Sequence, residues 1–91
     1  MAKRRILIVD DEENIGRSLK LILEHAGYET AVCRSVAEFR AWTGRADACL
    51  IDMKLPDGNG IDLLRALRQA DDQIPVVMIS GHGAIADAVE A

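Results

Sequence analysis

Ninety-one residues, 49% hydrophobic and 29% charged, fit one globular domain and exclude a disordered or fibrous chain. Eleven Lys plus Arg against fifteen Asp plus Glu leave a formal charge of -4, which argues against direct contact with nucleic acid. The basic run Lys3-Arg4-Arg5 precedes an apolar stretch, Ile6 to Val9, far too short for a signal-peptide core or a membrane span, so a cytoplasmic domain without membrane contact is expected.

Ile6-Leu7-Ile8-Val9 is a continuous apolar run rich in β-branched residues, the pattern of a strand covered on both faces. It ends at Asp10-Asp11. From Glu12 to about Ala26, Ile15, Leu19, Ile22, Leu23 and Ala26 recur at helical spacing behind an acidic first turn, and Gly27 stops the helix. Tyr28 to Cys33 reads as a short strand. Ser35 is placed to cap a helix carrying Val36, Phe39 and Trp42, with Gly44 ending it. Ala46 to Asp52 holds a second buried strand, Ala48-Cys49-Leu50-Ile51, which again terminates in an aspartate. The turn-rich segment Leu55-Pro56-Asp57-Gly58-Asn59-Gly60 follows. Ile61 to about Ala70 is an amphipathic helix, with Ile61, Leu64 and Leu67 on one side and Arg65 and Arg68 on the other. Pro75 opens the strand Val76-Val77-Met78-Ile79, which closes at Ser80 before Gly81-His82-Gly83, and a fourth helix is expected from near Ala84.

Strands alternating with helices imply parallel pairing through right-handed crossovers and a three-layer α/β domain. The carboxyl ends of parallel strands share one edge, so Asp10, Asp11, Asp52 and Ser80 should converge where such sheets place their ligands. Taken singly, each has a bland reading: Asp10 and Asp11 as a helix cap and first-turn acid, Asp52 as the first residue of a loop, Ser80 as a turn residue. Their joint placement at inner strand ends favours a site. Carboxylates within about 4–6 Å of one another disfavour joint ionisation, so a cation is needed. Hard oxygen donors suit Mg²⁺, with Mn²⁺ as the substitute. Such an ion would lower the repulsion between the acidic pocket and an incoming phosphoryl group, which Asp52 is placed to accept as an acyl phosphate. Ser80 could donate to a phosphoryl oxygen, and the main-chain amides of Met53 and Gly81 could assist. His25 and His82 are expected to be solvated rather than catalytic.

With these residues assembled, the chain resembles the response-regulator receiver domains of two-component systems: ILIVDDEENI, LIDMKLPDGNGIDLL and PVVMISGHG stand in that family's order and spacing across almost the whole chain. The resemblance implies a flavodoxin-like doubly wound sheet of order 2-1-3-4. It makes Asp52 the phospho-acceptor, Asp11 a direct metal ligand, Asp10 a mainly water-mediated one, Lys54 a ligand through its main-chain carbonyl, and Ser80 the switch hydroxyl. It implies a sensor histidine kinase or phosphotransfer protein as partner and an output domain for transcription regulation in the intact parent. The segment SGHGAIADAVEA is similar to receivers of sigma-54-dependent activators of the nitrogen-regulation type. The family continues with a fifth strand ending in a phosphoryl-contacting lysine and a last helix, so residues 1–91 are expected to form a receiver domain incomplete at its C-terminus.

With no fifth strand, Val76 to Ile79 would be an open edge, through which a homodimer or segment exchange is expected. Cys33 and Cys49 should lie on either side of the first strand, about 9–10 Å apart and too far for a disulfide. Two other function classes compete. A receiver-like interaction module that is never phosphorylated would lack Mg²⁺ binding, and the complete acidic set argues against it. A dinucleotide-binding enzyme would need glycines where Asp-Asp-Glu-Glu stands. An aspartyl-phosphate phosphatase would carry its nucleophile on the first strand with a carboxylate two residues on, a spacing that Asp10-Asp11 lacks.

Overall fold

The computed structural model describes residues 3–70 and 73–79 in full and the backbone of residues 85–87. Strand β1 (Arg5–Val9) leads into helix α1 (Glu13–His25), strand β2 (Glu29–Cys33), helix α2 (Val36–Ala41) and strand β3 (Ala48–Asp52). A two-residue-per-strand hairpin, β4 (Lys54–Leu55) and β5 (Gly58–Asn59), precedes helix α3 (Gly60–Ala70), strand β6 (Val76–Ile79) and strand β7 (Ile85–Asp87). The main sheet has the order β2-β1-β3-β6-β7, and its first four strands are parallel.

The apolar runs become inner strands because both of their faces are covered. Alternation sends Leu7, Val9, Cys33, Cys49, Ile51, Val76 and Met78 to one face, where Leu63 and Leu64 of α3 and Val36 and Phe39 of α2 pack against them. The opposite face belongs to α1, whose buried Gly16 lies against Val32. These are the expected three layers of a doubly wound α/β fold. The α1 side is the thinner one: Leu21 and Ile22 are each 63% exposed, where nothing among the described residues covers them.

Helix ends follow local chemistry. Gly27 takes φ 101°, and the Gly27 and Tyr28 amides donate back to Glu24 and Leu23, the Schellman closure that glycine permits. Ser35 caps α2 by accepting the Glu38 amide, while the Glu38 carboxylate accepts the amide of Arg34, one residue before the cap. That helix ends at Ala41, earlier than Gly44, because Trp42 turns into extended backbone and packs against the core while Gly44 lies beneath its ring.

Two expectations need correction. Residues 85–87, anticipated as part of a fourth helix, form β7, which pairs antiparallel to β6 from Val77↔Asp87 to Ile79↔Ile85. The edge expected to lie bare for dimerisation or segment exchange is therefore occupied along Val77–Ile79. The main-chain groups that a parallel neighbour would have satisfied are met by the returning chain. The cysteines stand as anticipated: both are buried and free, Cys33 beside Val9 and Cys49 beside Leu7 on opposite sides of β1. Burial pushes the Cys49 thiol up to about 12, which leaves it an inert core residue.

Candidate metal centre

Register brings the acidic residues together. Val9 pairs with Ile51 and Asp52 with Ile79, so the residues following β1 and closing β3 stand side by side at the carboxyl edge of the sheet. The Asp10 amide extends the ladder by donating to the Cys33 carbonyl at 3.0 Å, which holds Asp10 at the strand end with only 2% of its surface exposed. Asp52, the last residue of β3, is 7% exposed, whereas Asp11 has left the sheet and is open to solvent. One carboxylate oxygen from each of the three lies within 4.8 Å of the others. They share a cleft of about 280 Å³ with Glu12, Ile15, Lys54, Leu55 and Pro56.

The electrostatics of the cluster are unbalanced. Asp10 Oδ1 accepts the Glu12 amide at 2.8 Å, but its Oδ2 is buried with no hydrogen-bond partner. Burial, with Asp52 and Asp11 adding like charge, pushes the Asp10 carboxyl up to about 6, against the lowering effect of the Glu12 amide. Among the described residues no Lys or Arg forms an ion pair with Asp10, Asp11 or Asp52. An orphaned buried carboxylate oxygen among clustered hard donors fits a divalent cation of the Mg²⁺ kind.

The main chain after β3 departs from the expected arrangement. The Met53 amide, anticipated to face a phosphoryl group, donates to the Ile79 carbonyl at 2.9 Å and is committed to strand pairing. It is the Lys54 amide that points into the cluster, donating to Asp52 Oδ1 at 3.1 Å. Lys54 thus lines the same cleft as the carboxylates, while its side chain is exposed. His25 is exposed at the end of α1. Ser80, Gly81 and His82 lie outside the described residues.

Three residues of the following loop escaped the sequence reading as contributors to the site. Gly60 opens α3 so close to β3 that a Cβ there would collide with the Asp52 carbonyl oxygen, and its amide donates to the Met53 carbonyl. Asn59 caps α3 through the Asp62 amide. Asp57 reaches across to α2, where its two oxygens accept the Val36 and Ala37 amides. A turn signal was visible at these positions, but their partners are tertiary.

Comparison with known proteins gives one answer. Residues 6–91 match the family described as response regulator receiver domain. The response regulator protein PilR of Pseudomonas aeruginosa is 40% identical over 93 residues, which cover 100% of this chain and 21% of that protein. Among solved structures, the response regulator protein TrrA of Thermotoga maritima in complex with Mg²⁺ and BeF superposes with a TM-score of 0.80 at 28% identity. That match covers 87% of this chain and 72% of TrrA. The beryllofluoride-activated NtrC4 receiver domain dimer gives 0.78 at 32% identity, over 88% of this chain and 68% of that one. The chain spans about a fifth of the PilR length. No helix among the described residues is long and apolar enough to cross a membrane.

Proposed function

This chain belongs to the response regulator receiver domain family, and on that premise we propose that it is a phospho-accepting signalling domain with Asp52 as the acceptor. The carrying observation is the set of three carboxylates within 4.8 Å of one another, with Asp10 Oδ2 buried and unpartnered. Asp10, Asp11, Asp52 and the Lys54 carbonyl would hold Mg²⁺, or Mn²⁺ in its place. Bound there, the ion supplies charge neutralisation for a phosphoryl group entering an acidic cleft.

The chain's own residues do the rest. A carboxylate oxygen of Asp52 attacks phosphorus, the bond between phosphorus and the donor breaks, and the donor keeps the bonding electron pair. The Lys54 amide, already aimed at Asp52 Oδ1, is placed to donate to the phosphoryl group in the position first assigned to Met53. The domain is not an enzyme in the sense of turning over a separate substrate, and it promotes its own phosphorylation and dephosphorylation. Ser80 would serve as the switch hydroxyl and the Gly81 amide as a further donor. Phosphorylation then shifts the population of two arrangements of the segment after β6.

The proposal extends to partners. A histidine kinase or phosphotransfer protein supplies the phosphoryl group in the cytoplasm, and an output domain reads the result. The receiver match spans residues 6–91. Self-association is included on the strength of the likeness to NtrC4, whose receiver is described as a dimer when activated. Incubating the intact protein with Mg²⁺ and a small acyl phosphate should add one phosphoryl group by mass spectrometry, and Asp52→Asn should remove it. A wild-type protein that binds Mg²⁺ yet gains no phosphoryl group from either a small donor or a kinase would overturn the reading.

A further inference from the structure

The hairpin that follows Asp52 is too small to hold its own shape. Only Lys54↔Asn59 and Leu55↔Gly58 pair, and even full hairpins are marginal alone in water. Pro56 and Asp57 join the strands without a positive φ at either residue, so the turn is not one of the primed types whose twist matches the flanking strands. Yet this hairpin carries Lys54, whose amide touches Asp52.

Its support comes from the neighbouring helix. Asp57 Oδ1 accepts the Val36 amide at 2.8 Å and Oδ2 the Ala37 amide at 3.0 Å, across 21 and 20 residues of sequence. Gly58 seats the hairpin against the same place, since a Cβ there would meet Val36 Cγ2 at 2.9 Å. Helix α2 does not depend on this contact for its cap, because Ser35 already accepts the Glu38 amide, the Glu38 carboxylate accepts the Arg34 amide, and the Val36 and Ala37 amides are exposed enough for water to serve them. The hairpin is the side that gains.

We propose that Asp57 is a positioning residue: its carboxylate anchors the β4–β5 hairpin to the start of α2 and thereby fixes the Lys54 main chain at the acidic cluster. The inference rests on the metal-binding reading of that cluster. Removing outer supports of metal ligands typically weakens binding about 10–100-fold, and Asp57 acts one step further out, so about 3–10-fold is expected.

The test is Mg²⁺ titration of the intact protein by calorimetry, at a temperature where every variant is folded. Asp57→Ala should weaken the Kd about 3–10-fold and Asp57→Asn, which keeps one acceptor oxygen, by less. Ser35→Ala removes the other cap of α2 without touching the hairpin; it should lower the melting temperature comparably while keeping the Kd within about twofold. Wild-type affinity in both Asp57 variants, or equal weakening by Ser35→Ala, would overturn the positioning role. If Asp57→Ala does not fold, Asp57→Asn decides. Failure of the wild-type protein to bind Mg²⁺ would instead sink the metal reading, and this inference with it.

Discussion

The two ends of the one sheet treat their acids in opposite ways. At the amino edge Asp47 accepts the Arg5 amide at 2.8 Å and lies 3.6 Å from the Arg45 guanidinium, and Glu29 pairs with the Arg5 guanidinium at 3.0 Å. At the carboxyl edge Asp10 and Asp52 are buried together, and among the described residues no Lys or Arg forms an ion pair with either. Acids at the amino edge are matched and partly solvated, which is how a fold keeps charge without strain. Those at the carboxyl edge are held in an arrangement that costs stability until a ligand arrives, the mark of a site rather than a scaffold.

Removing the acceptor should produce the largest effect. Asp52→Asn is expected to abolish phosphoryl gain in the intact protein, read by mass spectrometry with Mg²⁺ and an acyl phosphate. Because it also removes one of the crowded charges, the metal-free variant should melt at a higher temperature than wild type. If the same substitution lowered the metal-free melting temperature, the carboxyl edge would not be under charge strain at all.

The next effect is steric. A methyl at position 60 would collide with the Asp52 carbonyl oxygen and would lie 2.8 Å from the Met78 methyl and 2.9 Å from an Ile51 methyl. Gly60→Ala should cost about 3 kcal/mol in denaturant unfolding, since backbone must move to make room. The amino edge has no counterpart so tight among the described glycines.

How much of this was legible in the sequence divides along the same physical line. Ile6–Val9, Ala48–Ile51 and Val76–Ile79 declared themselves because buried parallel strands are apolar on both faces, and the aspartates that close the first two follow from where those strands stop. Gly27 and Ser35 were readable because their partners lie within a few residues. Asp57, Asn59 and Gly60 were visible only as turn-formers. What each does depends on α2 or β3 being folded beside it, and no local pattern encodes that. The Met53 amide was misplaced for a related reason: β3 and β6 keep pairing one residue beyond the strand end, so the first amide directed at the acidic cluster is that of Lys54. Residues 85–87, expected within a helix, pair with β6 as β7 instead, a long-range contact that no local pattern announces.

A smaller effect depends on pH. The Asp10 carboxyl is raised in the fold from 3.8 to about 6, so the fold prefers it neutral. Its stabilising contribution is complete below about pH 4 and is lost as the pH rises through about 6 in the metal-free protein. Asp57 works in the opposite sense: its lowered pKa supports the fold above about pH 4 and that support is lost only in more acidic solution, so the two windows are separate. The metal-free protein should therefore melt higher at pH 5 than at pH 7.5. Mg²⁺, which needs the ionised carboxylate, should raise the melting temperature at pH 7.5 far more than at pH 5. Asp10→Asn should erase the pH difference and weaken Mg²⁺ binding at least about tenfold. A wild-type protein equally stable at both values would contradict the strain attributed to this edge.

The smallest effect belongs to the amino edge and is the control on the comparison. Arg45→Ala removes a guanidinium that is 74% exposed, and Glu29→Gln removes the charge from a pair whose side chains are 40% and 47% exposed. Exposed pairs of this kind contribute about 0–1 kcal/mol, so each variant should unfold within about 0.5 kcal/mol of wild type. Their distance from the carboxyl edge, the full length of β1, also means that Mg²⁺ affinity at 0.15 M salt should not change measurably, because the separation exceeds the roughly 8 Å over which exposed charges act. If either substitution altered metal affinity severalfold, the two edges would be coupled through the sheet, and the division of labour between them would have to be abandoned.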